Sequence, residues 1–435
     1  MATLPLDGIR VADITVIYAG PSATMQLADW GAEVIRVESI KHFQSITRGG
    51  MARPPQEIVS NPVRTGGIAT YCDRDVSFRP WNRWTLFNAH ARNKLSCTMD
   101  LTQPRGMEMF MRLIRESDVF LESNACHVLE HLGLNYEKIK AVNPNIIMLS
   151  MPGFGTNGPY KYYRGYGAHQ ENFIGHTYLR SYPDSDASET STLFHADEAA
   201  GMTAALAVLY ALHYRNRTSK GQYIDMAQAE ATMPHLGEAI MDYTMNRRVQ
   251  TSTGNRLPGA APCGCYPCRG EDRWINITVY TSREWDGLCS VMGNPKWTMN
   301  AKFSDRLSRD THGEELDCLI GEWTSQYDHY ELMYLLQKKG VPAGPVIFED
   351  DAYTDPHLQA RGFFQELTHQ ECGTHLYPGL GYRMSKTPNE LRLPPVRLGE
   401  HNEYVYKEIL KVTDEEYAEL EKEGHIGMDY DPCIR

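Results

Sequence analysis

The chain has 435 residues, of which 42% are hydrophobic and 23% are charged, and its formal net charge at pH 7 is -12. This length is too great for one simple core and predicts two domains, whereas the acidic net charge, without a dense basic stripe, argues against a nucleic-acid partner. The sequence has no run of about 18 apolar residues and no basic segment followed by an apolar one at its start, so we expect no membrane span and a cytoplasmic location.

The first 150 residues alternate between strand-like and helix-like segments. Residues 10–14 and 34–38 are typical of buried strands and flank a helical segment at 21–30, which together predict a βαβ unit. A second alternation predicts strands at Leu95–Met99, Val119–Glu122 and Ile146–Met151, with a helix at Pro104–Arg115 after the first of them. The fold class is therefore α/β with a Rossmann-like parallel sheet, and ligands are expected beyond the carboxyl ends of its strands. No Gly-x-Gly-x-x-Gly follows the first strand, so a dinucleotide is not required.

The remaining segments are less regular. Residues 43–93 show little periodicity, and loops of this length are usually functional or interfacial. Further along, we predict a helix at Met202–Tyr214, a strand at Tyr223–Met226 and a helical stretch to about Tyr243. A strand at Trp274–Tyr280, a helix at Glu331–Lys338 and a turn at Gly340–Pro345 follow. We predict a large Rossmann-like domain at 1–225, a small α+β domain with its linker at 226–330, and a linker with a C-terminal return to the large domain at 331–435.

Ten cysteines are scattered along the chain. This pattern is typical of thiols in a long cytosolic protein. The only cluster, Cys263, Cys265 and Cys268, lacks a fourth ligand at the spacing of a structural zinc site. We therefore predict a turn that leads into a strand at this position and no metal site.

The segment Phe194–Met202 places Asp197 just ahead of the predicted helix. An acid there lies near the positive end of the helix dipole, which is expected to keep Asp197 ionised at neutral pH. Two roles fit such a carboxylate, a helix N-cap and a covalent nucleophile. Spacing alone favours the cap, because aspartate is among the preferred cap residues.

A series of motifs runs in order along nearly the whole chain. They are Leu6–Asp13, Ala19-Gly20-Pro21, Asp29–Glu38, Arg92-Asn93-Lys94, Asp100-Leu101, Pro152–Gly155, Gly158-Pro159, Gly221–Asp225, Gly340–Val346 and Leu398–His401. Together they resemble the class III CoA-transferases, also called the formyl-CoA transferase and carnitine CoA-transferase family. In that family the catalytic Asp lies four residues before a Gly that opens an alanine-rich helix, and Asp197 and Gly201 match this spacing.

The resemblance implies that Asp197 is the nucleophile of a CoA transfer. It would attack an acyl-CoA donor to give an aspartyl anhydride and then an aspartyl-CoA thioester, and a small organic acid would reverse these steps. Succinyl-CoA is one candidate donor, and coenzyme A serves as substrate, with no permanently bound cofactor. Backbone N–H groups at a helix start or in the loop Gly259–Gly264, where relatives carry a glycine-rich flap, are candidate oxyanion donors. The identity of the donor and acceptor acids stays open, since the family handles acids as different as oxalate and bile acids.

The resemblance also assigns four residues to the CoA groove. Tyr18 and Ala19 correspond to the wall beside the reacting thioester. Arg164 lies where relatives have a phosphate-binding Lys, although an isolated loop Arg is often only a solvated charge. Tyr166 matches a tyrosine of the family.

Three positions depart from the family pattern. Ser39 and His131 stand where some relatives have phosphate-binding Arg residues, and His131 is retained as a candidate CoA contact. Gly167 stands where the formyl-CoA enzyme has a Glu. Lys41 and Arg48 are candidates to compensate for the lost positive charge.

Two other activities stay open. The related α-methylacyl-CoA racemases pair the Asp with a His at the position of Tyr166, followed by an Asp where this chain has Gly167, so transfer is favoured. His169, His176 and His195 lie near Asp197 in sequence, and we interpret each as a hydrogen-bonded structural residue, although His169 keeps the racemase alternative open.

The third alternative is a non-catalytic subunit of a heteromeric CoA-transferase. For the assembly, the resemblance implies an interlocked, ring-like dimer, either a homodimer or a heteromer with a paralogous subunit.

Overall fold

A computed structural model of the protein describes residues 4–59, 70–190 and 193–434. Its strands are β1 (Arg10–Asp13), β2 (Glu33–Glu38), β3 (Leu95–Thr98), β4 (Val119–Glu122), β5 (Ile147–Ser150), β6 (Gln222–Asp225), β7 (Cys263–Pro267), β8 (Trp274–Thr278), β9 (Ala343–Val346), β10 (Phe364–His369) and β11 (Gly373–Pro378). The α-helices are α1 (Ala19–Asp29), α2 (Gln56–Val59), α3 (Thr85–His90), α4 (Pro104–Arg115), α5 (Cys126–His131), α6 (Tyr136–Val142), α7 (Gly167–Phe173), α8 (His176–Arg180), α9 (His195–Thr218), α10 (Gln228–Thr232), α11 (Gly237–Asn246), α12 (Ser282–Val291), α13 (Arg306–Thr311), α14 (Gly313–Thr324), α15 (His329–Lys338), α16 (Glu349–Thr354), α17 (Pro356–Ala360) and α18 (Asp414–Lys422).

The first six strands form one parallel sheet in the order β3-β2-β1-β4-β5-β6. Ala12 at the centre pairs with Ile35 of β2 on one side and with Phe120 of β4 on the other. This is the order of doubly wound α/β folds, in which the chain reverses its direction of travel between β1 and β4. The predicted parallel sheet is confirmed, and the predicted bounds of α4 and β4 are those observed.

Each face of the sheet is covered by helices. Ala12, Ile35 and Phe120 pack with Phe110 and Leu113 of α4 in one apolar cluster. Residues one step along the same strands, among them Val11, point to the opposite face and pack against α1 and α9. Successive strand residues alternate between the two faces, so strands covered on both sides become continuous apolar runs. That continuity is why the sequence pattern identified them.

The chain divides into two compact units. The first unit comprises residues 1–176, 192–241 and 362–435, and the second comprises 177–191 and 242–361. These bounds lie later in the chain than the predicted 225/226 and 330/331 boundaries, and the predicted division into domains stays a prediction. Within the described ranges, no helix is both long enough and apolar enough to cross a membrane. The cytoplasmic location stays a prediction.

The second unit has its own antiparallel sheet, in the order β7-β8-β9. Its core joins Ile275 and Ile277 of β8 with Trp285 of α12 and Leu332 of α15. The prediction of a turn over Gly340–Pro345 is partly wrong, because residues from Ala343 onward pair with β8 as strand β9.

The cysteine cluster lies on and just after β7. Cys263 and Cys265 are strand residues, and Cys268 follows the strand. Among the described residues, no group of three or more His, Cys, Asp or Glu side chains is arranged to hold a metal ion.

Candidate active site

A cavity of about 340 Å³ lies in the first unit, beyond the carboxyl ends of β1, β4 and β5. Its lining residues are Val16, Ile17, Tyr18, Ala19, Ser123, Ala125, Pro152, Gly153, Tyr163, Arg164, Gly165, Tyr166, His169, Asp197 and Gln228. The loops after β1 and β4 flank the point where the strand order reverses, which is where open α/β sheets bind ligands. The cavity therefore brings together five of the six residues predicted for the site, and His131 is the exception.

Asp197 is the third residue of α9, and its N-cap is Phe194, which makes no side-chain capping bond. The alternative that Asp197 caps the helix is therefore wrong, because the helix begins at His195. The helix start escaped prediction because Phe194 carries no polar cap signal. Asp197 is only 6% exposed. A carboxylate so placed gains from the helix dipole but loses most of its hydration.

Two glycines allow close packing at this part of α9. A side-chain Cβ at Gly167, the first residue of α7, would lie 1.9 Å from Asp197 Oδ2. A Cβ at Gly201, one turn after Asp197 on α9, would lie 2.9 Å from Ser22 Cβ of α1. Gly167 thus lets α7 press against the carboxylate, and Gly201 lets α1 approach α9. Both positions are closed to larger residues without displacement of Asp197 or of α9.

The surroundings of Asp197 raise its pKa from 3.8 to about 7. Burial is the main cause, and the carboxylates of Glu171 and Glu198 add to it, while backbone hydrogen bonds from Ala19 and from Asp197 itself act in the opposite direction. The expectation that the helix dipole keeps Asp197 fully ionised at neutral pH is therefore wrong. Close to pH 7 both protonation states of Asp197 are populated.

Tyr18 lies between two rings. Its ring centroid is 5.0 Å from that of His90 and 4.9 Å from that of Phe194, in stacked arrangements. Burial and a side-chain hydrogen bond to Glu198 raise the pKa of Tyr18, so it stays a neutral phenol. Glu198 Oε2 also accepts a hydrogen bond of 2.7 Å from Ser22 Oγ. This network fixes the wall of the cavity that faces Asp197.

The predicted basic residues lie in different places. Arg164 lines the cavity, and its Nη2 donates to His127 Nε2 at 2.9 Å. His131 is exposed at the end of α5 and does not line the cavity. Arg48 is fully buried and binds both oxygens of Glu38, at 2.6 and 2.7 Å.

The other compensating candidate, Lys41, is also engaged elsewhere. Its Nζ donates to the carbonyl oxygen of Glu423 at 2.6 Å. Neither Lys41 nor Arg48 lines the cavity. His127, which no sequence motif singles out, is the side chain that contacts Arg164.

Gln228 was also missed. It is 7% exposed, it lines the cavity, and its amide is held in place. Gln228 Nε2 donates to the Met151 carbonyl at 2.6 Å, and Gln228 Oε1 accepts from Gln170 Nε2 at 3.2 Å. Because Nε2 carries two hydrogens, one N–H remains after the bond to Met151. A lone glutamine in a helical stretch gives no sequence signal that its amide lines a cavity.

The histidines lie in two groups. His169 lines the cavity and accepts the Tyr166 backbone N–H on Nδ1 at 3.2 Å. His176 and His195 stack with ring centroids 4.9 Å apart. His195 Nε2 then lies 2.9 Å from Nδ1 of His235. His176 and His195 do not line the cavity, and their interpretation as structural residues stays a prediction.

Comparison with known proteins gives consistent matches along the chain. The sequence profile of CoA-transferase family III matches residues 6–402. A succinyl-CoA–D-citramalate CoA-transferase of Chloroflexus aurantiacus is 31% identical, over 96% of this chain and 97% of that relative. A succinate–glutarate CoA-transferase of Agrobacterium fabrum is 30% identical, over 93% and 96%.

Solved structures agree with these matches. A CaiB/BaiF family protein from Brucella suis superposes with a TM-score of 0.79 at 29% identity, covering 94% of this chain and all of that one. The family profile spans the sheet, α9 and the whole cavity lining. The chain therefore belongs to CoA-transferase family III, and it is a CoA-transferase.

Proposed function

We propose that the protein moves coenzyme A from succinyl-CoA to a small dicarboxylic acid, with Asp197 as the covalent nucleophile. The observation that carries this proposal is a buried carboxylate that lines a cavity, packs against Gly167 and shares the cavity wall with Ala19. The relatives support the substrates, since they are named for succinyl-CoA with D-citramalate and for succinate with glutarate.

The chemistry proceeds through four substitutions at carbonyl carbon. Ionised Asp197 attacks the carbonyl carbon of the donor thioester and the C–S bond breaks. CoA leaves as a thiolate, and the donor acyl group stays on Asp197 as a mixed anhydride. The thiolate attacks the aspartyl carbonyl and releases the donor acid, which leaves an aspartyl-CoA thioester. The acceptor carboxylate then attacks this thioester, and the returning thiolate attacks the acceptor acyl carbon. The products are the new CoA ester and free Asp197.

Two groups are suited to assist these steps. The Ala19 backbone N–H favours the ionised form of Asp197, so it is suited to stabilise the oxygen that becomes negative when the aspartyl carbonyl is attacked. Arg164 at the cavity, with His127 beside it, is suited to a CoA phosphate. Tyr166, which is half exposed at the cavity, offers a ring surface for CoA, whereas the Tyr18 ring is stacked between His90 and Phe194 and serves as a fixed part of the wall.

His169 supports transfer over racemisation. Its Nδ1 accepts the Tyr166 N–H, so the neutral ring carries its proton on Nε2. A ring in this tautomer has no free nitrogen to remove an α-proton from an acyl group. His169 is therefore suited to donate a hydrogen bond rather than to act as a base.

We further propose an assembled enzyme, an interlocked homodimer or a heteromer with a paralogous subunit. Relatives at 29% and 28% identity are named as the beta and alpha subunits of a succinyl-CoA–L-malate CoA-transferase, which supports the heteromeric form. Transfer by the purified chain alone would exclude an obligatory partner and a non-catalytic role.

Intact-protein mass spectrometry tests the nucleophile. Incubation with succinyl-CoA without acceptor should add the mass of one CoA less one water, and Asp197→Asn should show no adduct. Glu198→Gln is the matched control, and it should still form the adduct. The proposal of a transferase would give way to that of a racemase under one outcome. In that outcome, solvent deuterium enters the α-carbon of an acyl-CoA at a catalytic rate, and no CoA is transferred to succinate, malate or glutarate.

A further inference from the structure

The loop that follows β1 contains a strained residue at the cavity. Ile17 has a φ of 63°, in the left-handed region, where a β-branched side chain is a genuine outlier. Such a conformation persists only when the surrounding structure holds it. Ile17 lines the cavity and immediately precedes Tyr18 and Ala19, which line it together with Asp197, and the Ala19 backbone N–H favours the ionised form of Asp197.

Two buried side chains hold Ile17 from opposite ends of its backbone. The Ile17 N–H donates to Thr47 Oγ1 at 2.8 Å, and the Ile17 carbonyl accepts from His90 Nε2 at 2.8 Å. Thr47 is 1% exposed and His90 is 2% exposed. His90 also stacks on Tyr18, so one ring contacts two successive residues of the loop.

His90 is not arranged for proton transfer. A carbonyl oxygen only accepts, so Nε2 carries the proton. Burial and the nearby charges of Lys94, Arg36 and Arg92 keep the pKa of His90 well below its ordinary value, so the ring stays neutral. Its Nδ1 has no hydrogen-bond partner among the described residues. The side chain therefore acts through one donated hydrogen bond and one stacked face.

We propose that His90 and Thr47 are positioning residues of the transfer reaction, which clamp Ile17 in its strained turn so that the Ala19 N–H is aimed at the Asp197 carboxyl group. This inference rests on the proposed role of Asp197. Neither residue touches the reacting atoms. Without the clamp, Ile17 would relax toward negative φ and the following peptide groups would turn away from Asp197.

The test separates the hydrogen bond of His90 from its ring. His90→Phe keeps a ring that can stack on Tyr18 but removes the donor, and His90→Gln keeps a donor. We expect His90→Phe to slow formation of the CoA adduct on Asp197 by about 10- to 100-fold, since small misplacements of reacting groups have effects of that order. The affinity for free CoA should change less than about twofold, because the CoA contacts remain. His90→Gln should recover most of the rate.

Two further variants guard against a merely structural effect. Thr47→Val removes the other hydrogen bond and should slow the adduct in the same way. Adding Ile17→Gly to His90→Phe should restore at least part of the rate, because glycine adopts positive φ without strain. His213→Phe, at an exposed histidine of α9, is the control and should leave the rate unchanged. If His90→Phe forms the adduct at the wild-type rate, or Ile17→Gly gives no recovery, the clamp is excluded.

A second readout does not depend on turnover. If the Ala19 N–H turns away, the pKa of Asp197 should rise, because this N–H favours the ionised form. This pKa can be read from the pH dependence of the Tm difference between each variant and its Asp197→Asn counterpart. An unchanged pKa in both His90→Phe and Thr47→Val overturns the clamp. If instead wild type forms no adduct while the pKa rises as expected, the proposed nucleophile fails and the clamp stands.

Discussion

Asp197→Asn should stabilise the folded protein while it abolishes transfer. The folded state raises the pKa of Asp197 from 3.8 to about 7, so the ionised form is disfavoured by about 4 kcal/mol, since one pKa unit is worth about 1.4 kcal/mol. The folded state binds more protons than the unfolded state between these two pKa values, and its stability therefore falls as the pH rises through that window. Asparagine does not ionise and avoids this loss.

The assay is thermal unfolding of both proteins between pH 5 and pH 8. The advantage of the Asn variant should grow by roughly 2–3 kcal/mol over this range, which for a chain of this length widens the Tm difference by about 3 °C. Asp184→Asn, which removes an exposed carboxyl group, is the matched control. A variant less stable than wild type at pH 8, or a constant difference, would refute the electrostatic account of Asp197.

Further predictions concern the same cavity. The rate of adduct formation should rise with pH through about 7, because ionised Asp197 is the nucleophile. Glu198→Gln should move this rise to lower pH, because it removes a like charge. A rise that is complete below pH 5 would contradict the raised pKa of Asp197. Gly167→Ala should lower kcat by about 100-fold or more, whereas Gly237→Ala, at another helix start where a Cβ meets nothing within 4 Å, should be nearly neutral. Arg164→Ala should raise KM for the CoA ester far more than for the acid, and equal effects would exclude a phosphate contact.

The sheet could be predicted from the sequence because its strands are covered on both faces. Continuous apolar runs such as Val119–Glu122 leave a clear pattern, and the intervening helix Pro104–Arg115 carries its proline in the first turn. The start of α9 could not be predicted in the same way. Phe194 offers no capping side chain, so the helix extends seven residues upstream of the predicted Met202 without a local signal.

The protonation of Asp197 was beyond sequence reasoning for a different reason. The carboxylate of Glu171, which raises the pKa of Asp197, belongs to α7, and only the folded chain brings α7 beside α9. The role of Gly167 is of the same kind, since its closeness to Asp197 joins two segments 30 residues apart. The side-chain partners of Arg48 and Lys41 likewise depend on tertiary contacts, with Glu38 and with the carbonyl of Glu423.

The hydrogen bonds that join Asn402 and Tyr406 to strand β3 have a consequence for biosynthesis. Asn402 Oδ1 accepts the Thr98 N–H at 2.7 Å, and Tyr406 Oη donates to the Thr98 carbonyl at 2.8 Å. Strand β3 thus depends on residues made about 300 positions later, so the first unit cannot be completed while the ribosome still holds the C-terminal segment. Until residues 402–406 have been made, the emerging chain must keep the edge strand β3 shielded from other chains. Truncation before Asn402 should therefore yield aggregated protein rather than a smaller folded one.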